Sequence, residues 1–268
     1  MDGIWSPEMR NAAPAPSDEW CLFLDVDGTL VEIADTPSAV VVDPSLNTLI
    51  SGVAQRLNGA LALVSGRSIA TIDQLFAPLK LPAAGQHGAE RRGASGAMWA
   101  AGPEREEFLT GARASLRTFV ESHPGTLFEE KGRTIAVHYR LAPEFEASVC
   151  RAVAAAAAPL EARYEVQAGN QVFEIKPKGF SKATAAEAFM REWPFAGRTP
   201  VFVGDDLTDE PGLRFVERAG GVSIAVGDRL TGQWHLDDPR EVRRWLAAIL
   251  ALDPPPSGER SPPSQSRT

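Results

Sequence analysis

The chain has 268 residues with 44% hydrophobic and 23% charged content, a globular composition long enough to bury a substantial core in one large domain or two smaller ones. A formal net charge of −8 argues against nonspecific binding to nucleic acid, so a phosphate-bearing ligand must be met by locally placed cations. The two cysteines, Cys21 and Cys150, lack metal-ligand spacing and are expected to fill cores; with no signal-peptide pattern and no membrane-length apolar run, the cytoplasm is the default expectation.

Residues 1–17 contain Asn11-Ala12-Ala13-Pro14-Ala15-Pro16-Ser17 and read as a flexible leader. The apolar run Cys21-Leu22-Phe23-Leu24 reads as a strand buried on both faces, the habit of parallel sheets covered by helices. Asp25-Val26-Asp27-Gly28-Thr29-Leu30 follows where that strand leaves the sheet, at the edge where open parallel sheets gather their chemistry. Period-2 geometry points Asp25 and Asp27 the same way, and like charges that close call for a cation or a shared proton. After a loop over 31–42, Asp43 can cap a helix with Pro44 in its first turn, running to about Leu57. A second apolar strand, Leu61-Ala62-Leu63-Val64, enters Ser65-Gly66-Arg67-Ser68 and a short helix ending near Phe76.

Between about Gly102 and Pro177 the alternation changes character. A helix over 104–122 precedes strands at 126–130 and 134–139 joined by Lys131-Gly132-Arg133; an alanine-rich helix then precedes strands at 162–167 and 171–175 joined by Ala168-Gly169-Asn170. Helix, hairpin, helix, hairpin describes a four-stranded antiparallel insert, a candidate lid. From Ser181 the first pattern resumes with a helix over 182–192, a strand over 200–203, a helix over 208–216, a strand over 221–226 and a helix over 239–250. The predicted fold is therefore α/β: a doubly wound, mostly parallel sheet with an inserted α+β cap domain. Its divisions are a leader at 1–17, core at 18–102, cap at 103–178, core again at 179–253, and a Pro/Ser-rich tail at 254–268 expected to be disordered.

Three apolar strands thus end in small or acidic groups: Asp25-Val26-Asp27-Gly28-Thr29, Ser65-Gly66-Arg67, and Gly204-Asp205-Asp206-Leu207-Thr208-Asp209. Taken singly, each has an ordinary reading. An acid after a strand is most often a turn residue or helix cap, Ser65 a cap, Lys182 a surface lysine, Arg91-Arg92 surface charge, and the alternation of Glu129 with Lys131 and of Glu174 with Lys176 a solvated strand face. In this order, with Lys182 between, they resemble the four motifs of the haloacid dehalogenase superfamily of phosphotransferases. Gly85-Gln86-His87-Gly88-Ala89-Glu90, Glu129-Glu130-Lys131-Gly132, His138-Tyr139-Arg140, Glu174-Ile175-Lys176-Pro177 and Thr208-Asp209-Glu210 narrow the resemblance to its trehalose-phosphatase family, over roughly residues 20–252.

The resemblance implies a Mg²⁺-dependent phosphatase acting on trehalose 6-phosphate through an aspartyl-phosphate. Asp25 would be the nucleophile and Asp27 the general acid and base. Ser65 would donate to the phosphoryl group and Lys182 would neutralise charge. The metal would be held by Asp25, the Asp27 carbonyl and Asp205, with Asp206 and Asp209 in supporting positions. Arg67, His87, Glu129, Lys131, Arg140 and Glu174 would meet the sugar. Its partners would be that sugar phosphate and a trehalose-phosphate synthase in the same pathway, with no nucleic acid and no membrane. The alternatives are a related phosphatase for another sugar phosphate, such as sucrose 6-phosphate, or a catalytically silent regulatory module that binds a sugar phosphate.

Overall fold

The computed structural model describes residues 13–101 and 107–253. Most of the expected leader, the start of the helix expected from residue 104, and the expected disordered tail at 254–268 lie outside the described residues.

In chain order the elements are β1 (Trp20–Leu24), α1 (Pro44–Arg56), β2 (Leu61–Val64), α2 (Ile69–Leu75), β3 (Ala83–Gly85), β4 (Glu90–Arg92), β5 (Met98–Ala100), α3 (Thr110–Glu121), β6 (Leu127–Glu130) and β7 (Ile135–His138). There follow α4 (Glu146–Ala157), β8 (Tyr164–Gly169), β9 (Val172–Pro177), α5 (Lys182–Phe189), β10 (Thr199–Gly204), α6 (Glu210–Arg218), β11 (Val222–Val226), β12 (Trp234–Leu236) and α7 (Pro239–Leu250). Eight strands form one sheet in the order β12-β11-β10-β1-β2-β3-β4-β5, parallel from β12 to β3 and antiparallel across the β4 and β5 edge. The order reverses beside β1, so the ends of β1, β2 and β10 open onto the switch-point crevice where such sheets bind ligands.

The central strands lie there because nothing in them tolerates water. Every residue of β1 and β2 is buried, while α1 packs with α7 and α5 with α6. The helices start where their sequences say they should. Asp43, Ser68, Ser181 and Asp238 each accept an N–H from the first turn of the helix they cap, which meets one otherwise orphaned donor apiece. Below the sheet end, Phe23 stacks on Phe195 at 5.7 Å between ring centroids and meets Phe189 at 6.0 Å.

Residues of the insert form a separate four-stranded antiparallel sheet, β6-β7-β9-β8, backed by α3 and α4 over a second apolar cluster that includes Leu116, Ile135, Val137, Val153 and Ile175. Its register sets Glu129, Ala136, Glu174 and Gln167 side by side across all four strands, and Leu127, His138, Val172 and Gly169 in the next row on the same face. One face of this sheet is therefore apolar and covered by helices, and the other carries polar groups.

Two expectations change. Cys21 is buried, but Cys150 is exposed on α4, whose buried stripe runs through Val149, Val153 and Ala157, so Cys150 is not a core residue. Arg91-Arg92, read as surface charge, belongs to β4, where Arg92 makes paired hydrogen bonds to Asp73 at 2.7 and 2.8 Å.

Truncating Phe23 to Ala removes a fully buried ring from the stack under the crevice, and it is expected to cost about 3–5 kcal/mol of unfolding free energy in a denaturant titration.

Candidate active site

The strand ends bring the acids together. Asp25, Asp205 and Asp209, separated by up to 184 residues in sequence, each offer an oxygen within 4.8 Å of the others, and all three are buried. Glycines allow that approach. A Cβ on Gly28, at φ +82°, would stand 2.2 Å from Asp205 Oδ2, and one on Gly204 would stand 2.4 Å from Asp209 Cγ. Lys182, at the first position of α5 behind its Ser181 cap, sends Nζ to Asp25 Oδ1 and Asp209 Oδ1, both at 2.7 Å.

One ammonium thus faces three buried carboxylates. Burial, then the neighbouring Asp209 charge, raises the Asp25 carboxyl above its ordinary range; burial likewise raises Asp209. Asp205 is pushed up to about 8 by burial and by the Asp25 charge. Burial alone would lower Lys182, but Asp209 and Asp25 outweigh it and hold the ammonium firmly protonated. Asp205 Oδ2 accepts no hydrogen bond, although the Arg229 guanidinium stands 3.4 Å away as an ion-pair partner. An all-oxygen set with excess negative charge and an orphaned buried oxygen fits a hard divalent cation.

The other expected residues fall as follows. Asp27 is half-buried and gripped by Arg67, which donates to its two oxygens at 2.7 and 2.8 Å and to the Pro37 carbonyl at 3.0 Å. Ser65 is buried, and its Oγ accepts from the Arg67 N–H at 3.2 Å, which leaves its own proton to give away. Thr29 Oγ1 lies 3.4 Å from Asp205 Oδ1, and Asp206 N–H donates to Asp209 Oδ2 at 3.2 Å.

The polar face of the four-stranded sheet forms the opposite wall of the same cleft. Lys131 Nζ lies 2.7 Å from Glu174 Oε2 and 3.8 Å from Glu129 Oε2. His87, in a left-handed backbone conformation at φ +56°, meets Glu174 Oε2 at 3.3 Å, while His138 meets Glu129 at 2.8 Å. Although burial opposes it, Lys131 and His87 hold the Glu174 carboxyl well below the usual range. Glu174 Oε1 is buried without a partner. Arg140 also lines the cleft and donates to the Asn170 carbonyl at 2.9 Å. Lys176, which alternation puts in phase with Glu174, instead pairs with Glu165 at 2.6 Å and does not reach the cleft lining.

Sequence reasoning did not single out His138, Gln167 or Gly169 as cleft residues, although the hairpin registers that align them with Glu129 and Glu174 could have done so. It also missed Arg229, which does not line the cleft but stands 3.4 Å from Asp205 Oδ2, because its loop position offered no periodic signal.

Three strand-end loops, a buried aspartate beside a lysine, and an acid two positions on that is held at the cleft define a phosphotransferase of the haloacid dehalogenase type. The family model described as Trehalose-phosphatase matches residues 23–244. The chain belongs to the trehalose-phosphatase family. It is 41% identical over 247 residues to a probable trehalose-phosphate phosphatase of Sinorhizobium fredii, covering 91% of this chain and 92% of that one. It is 40% identical over 243 residues to trehalose-6-phosphate phosphatase of Escherichia coli strain K12, covering 90% and 91%. Among solved structures, a trehalose-6-phosphate phosphatase related protein superposes with a TM-score of 0.73 at 26% identity, covering 86% of this chain and 97% of that one.

Because Asp205 keeps its proton up to a pH of about 8 in the folded chain but loses it near 4 when unfolded, its contribution to stability is complete below about pH 4 and fades as pH rises through about 8. In chelator, unfolding free energy is expected to fall through this group as pH rises from about 4 toward about 8 and to level off above that, read as a falling thermal midpoint. Asp205→Asn should flatten that slope.

Proposed function

We propose that the chain is a Mg²⁺-dependent phosphatase that hydrolyses trehalose 6-phosphate to trehalose and phosphate, with Asp25 as nucleophile. The observation that carries this reading is the trio Asp25, Asp205 and Asp209 gathered around Lys182, with Glu129, Lys131 and Glu174 on the facing wall. A phosphate dianion fits the first group, which concentrates an ammonium and a cation site. A polyhydroxylated sugar fits the second, where carboxylate and ammonium groups can accept from and donate to hydroxyls. Glu174 Oε1, buried and unpaired, supports a hydroxyl donor there.

In the proposed sequence an Asp25 oxygen attacks phosphorus while Asp27 gives a proton to the departing sugar oxygen. Asp27 then takes a proton from the water that attacks the aspartyl-phosphate, which releases phosphate and restores Asp25. Mg²⁺ held by Asp25, Asp205 and the Asp27 carbonyl, with Asp206 and Asp209 beside them, would cancel the repulsion between carboxylate and phosphate. Lys182 fixes one Asp25 oxygen, and Ser65 has a proton to give to a phosphoryl oxygen. Arg67 donates to both oxygens of Asp27, so an arriving phosphate that draws off the guanidinium frees those oxygens to meet the departing sugar oxygen. The cap would close over bound substrate and exclude water from the first displacement.

A silent regulatory module would have no need for Asp25, Asp27, Lys182 and Asp205 together, and all are present. Among the described residues no helix is long and apolar enough to cross a membrane. The proposed location is the cytoplasm, with a trehalose-phosphate synthase as the proposed pathway partner.

Phosphate release measured on trehalose 6-phosphate, sucrose 6-phosphate and glucose 6-phosphate should favour the first and vanish with chelator; equal turnover of all three defeats the substrate assignment. Asp25→Asn should lower kcat by at least about a thousandfold in a correctly folded protein, and residual turnover near wild type would remove Asp25 from the mechanism. Lys131→Ala or Glu174→Ala should reduce kcat/KM for trehalose 6-phosphate by about 10- to 100-fold while changing hydrolysis of a small aryl phosphate little. Equal losses on the two substrates would place these residues outside the sugar site.

A further inference from the structure

The loop between β11 and β12 is pinned at both ends. Gly227 N–H donates to the Leu236 carbonyl at 2.9 Å, and Gln233 N–H donates to Ser223 Oγ at 2.9 Å while Ser223 N–H donates to Gln233 Oε1 at 3.2 Å. From this loop Arg229 reaches the acidic strand end. One guanidinium nitrogen lies 3.4 Å from Asp205 Oδ2 and another 3.6 Å from Asp206 Oδ1. With its amide oxygen turned toward them, Asn170 accepts from both terminal nitrogens of Arg229, at 3.0 and 2.5 Å, and from Arg140 at 3.3 Å.

Asn170 sits in the turn between β8 and β9, on the cap sheet, so one side chain ties three backbone segments across the mouth of the cleft. Its neighbour Gly169 brings that turn down onto the acidic loop. A Cβ on Gly169 would stand 3.5 Å from Asp206 Oδ2 and 3.8 Å from Thr208 Cγ2. An isolated, partly exposed ion pair would do little. A planar fork shared between a buried carboxylate and an amide of the opposite sheet does more, since each contact orients the guanidinium for the others. Two guanidiniums converging on one amide also repel each other, so this contact forms only where Asp206 and its neighbours supply the compensating charge. Burial, followed by the Arg229 charge, accordingly lowers the pKa of Arg140.

We propose that Arg229 is a positioning residue that clasps the cap turn at Asn170 to the Asp205-Asp206 loop and so holds the cap over a substrate that reaches both walls. The clasp is read from geometry alone; its consequence for a disaccharide phosphate rests on the proposed function.

The experiment compares wild type, Arg229→Ala, Asn170→Ala, the double variant and Arg229→Lys, with folding checked by circular dichroism. Amide hydrogen exchange over residues 168–171 is followed in chelator, and KM and kcat are measured on trehalose 6-phosphate and on p-nitrophenyl phosphate with Mg²⁺. Each alanine variant should exchange about three- to tenfold faster at the turn, with the double variant no faster than either single. KM for trehalose 6-phosphate should rise by a similar factor, with the aryl phosphate hydrolysed with little change by Asn170→Ala, which leaves Asp205 untouched, and Arg229→Lys should recover only part of each effect because it lacks the fork. Unchanged exchange at the turn, additive effects in the double variant, or equal losses on both substrates in Asn170→Ala would overturn the clasp. Should wild type release no phosphate from trehalose 6-phosphate, the substrate assignment falls while the exchange measurement still decides the clasp.

Discussion

Everything in the crevice follows from the sharing of one buried ammonium, Lys182, between Asp25 and Asp209 with Asp205 close by. Three buried carboxylates share one buried ammonium, and the half-exposed Arg229 guanidinium reaches only Asp205 of the three, so negative charge is in excess where water scarcely reaches. A fold that only needed stability would replace such a cluster with apolar groups, because the desolvation of several ions is seldom repaid in full by their mutual contacts. The glycines show how strongly the chain is committed to the arrangement. Gly28 and Gly204 have no room for a side chain because the carboxylates of Asp205 and Asp209 occupy the space one would need. The charge imbalance is met either by protons, which the upward shifts of all three acids express, or by a divalent cation of matching charge.

The facing wall obeys a different rule. There Lys131 and the His87 and His138 rings meet Glu174 and Glu129 at close range, and what remains open is a hydrogen-bonding valence, the unpartnered Glu174 Oε1. An excess of charge on one side and an excess of acceptors on the other describe a ligand with a dianionic end and a hydroxyl-bearing end. The register that aligns Glu129, Ala136 and Glu174 explains why this wall is smooth enough to receive it, since the small Ala136 separates the two acids without covering either.

The parts legible in the sequence were those whose signal is one-dimensional. β1, β2 and β10 are apolar on both faces, so their runs stand out, and α7 was bounded correctly because Asp238 and Pro239 mark its start. β4, β5 and β12 were missed for the opposite reason: each has three residues, and β4 carries Arg91 and Arg92, which look solvated until Asp73 is seen opposite. Cys150 was misplaced because an alanine-rich helix hardly distinguishes its faces, and one step from Val149 moves a residue from the buried stripe into solvent. Of the site, the strand-end acids were readable from motif order alone. Lys182 was readable only through the resemblance, since nothing local distinguishes a lysine at a helix start that will be buried between two aspartates from one that will face water. The pairing of Arg67 with Asp27 was not readable, because it depends on how two separate loops lie against each other.

The unequal burial of Asp25 and Asp27 separates what their one-residue spacing would otherwise leave equivalent. Asp25 is 4% exposed and fixed through one oxygen by Lys182, whereas the Asp27 side chain keeps 33% of its surface and is held by an arginine at the cleft. A nucleophile gains from being dry and rigid, because nothing must be stripped from it before attack. An acid that becomes a base between two half-reactions must instead remain within reach of the leaving oxygen and of water. The polypeptide achieves the difference by turning at Gly28, so that Asp25 ends the sheet and Asp27 already belongs to the loop, where Gly28 N–H donates to the Val31 carbonyl at 2.8 Å. Two chemically identical side chains thereby meet unlike surroundings, set by where the strand stops, and these suit the roles proposed for them.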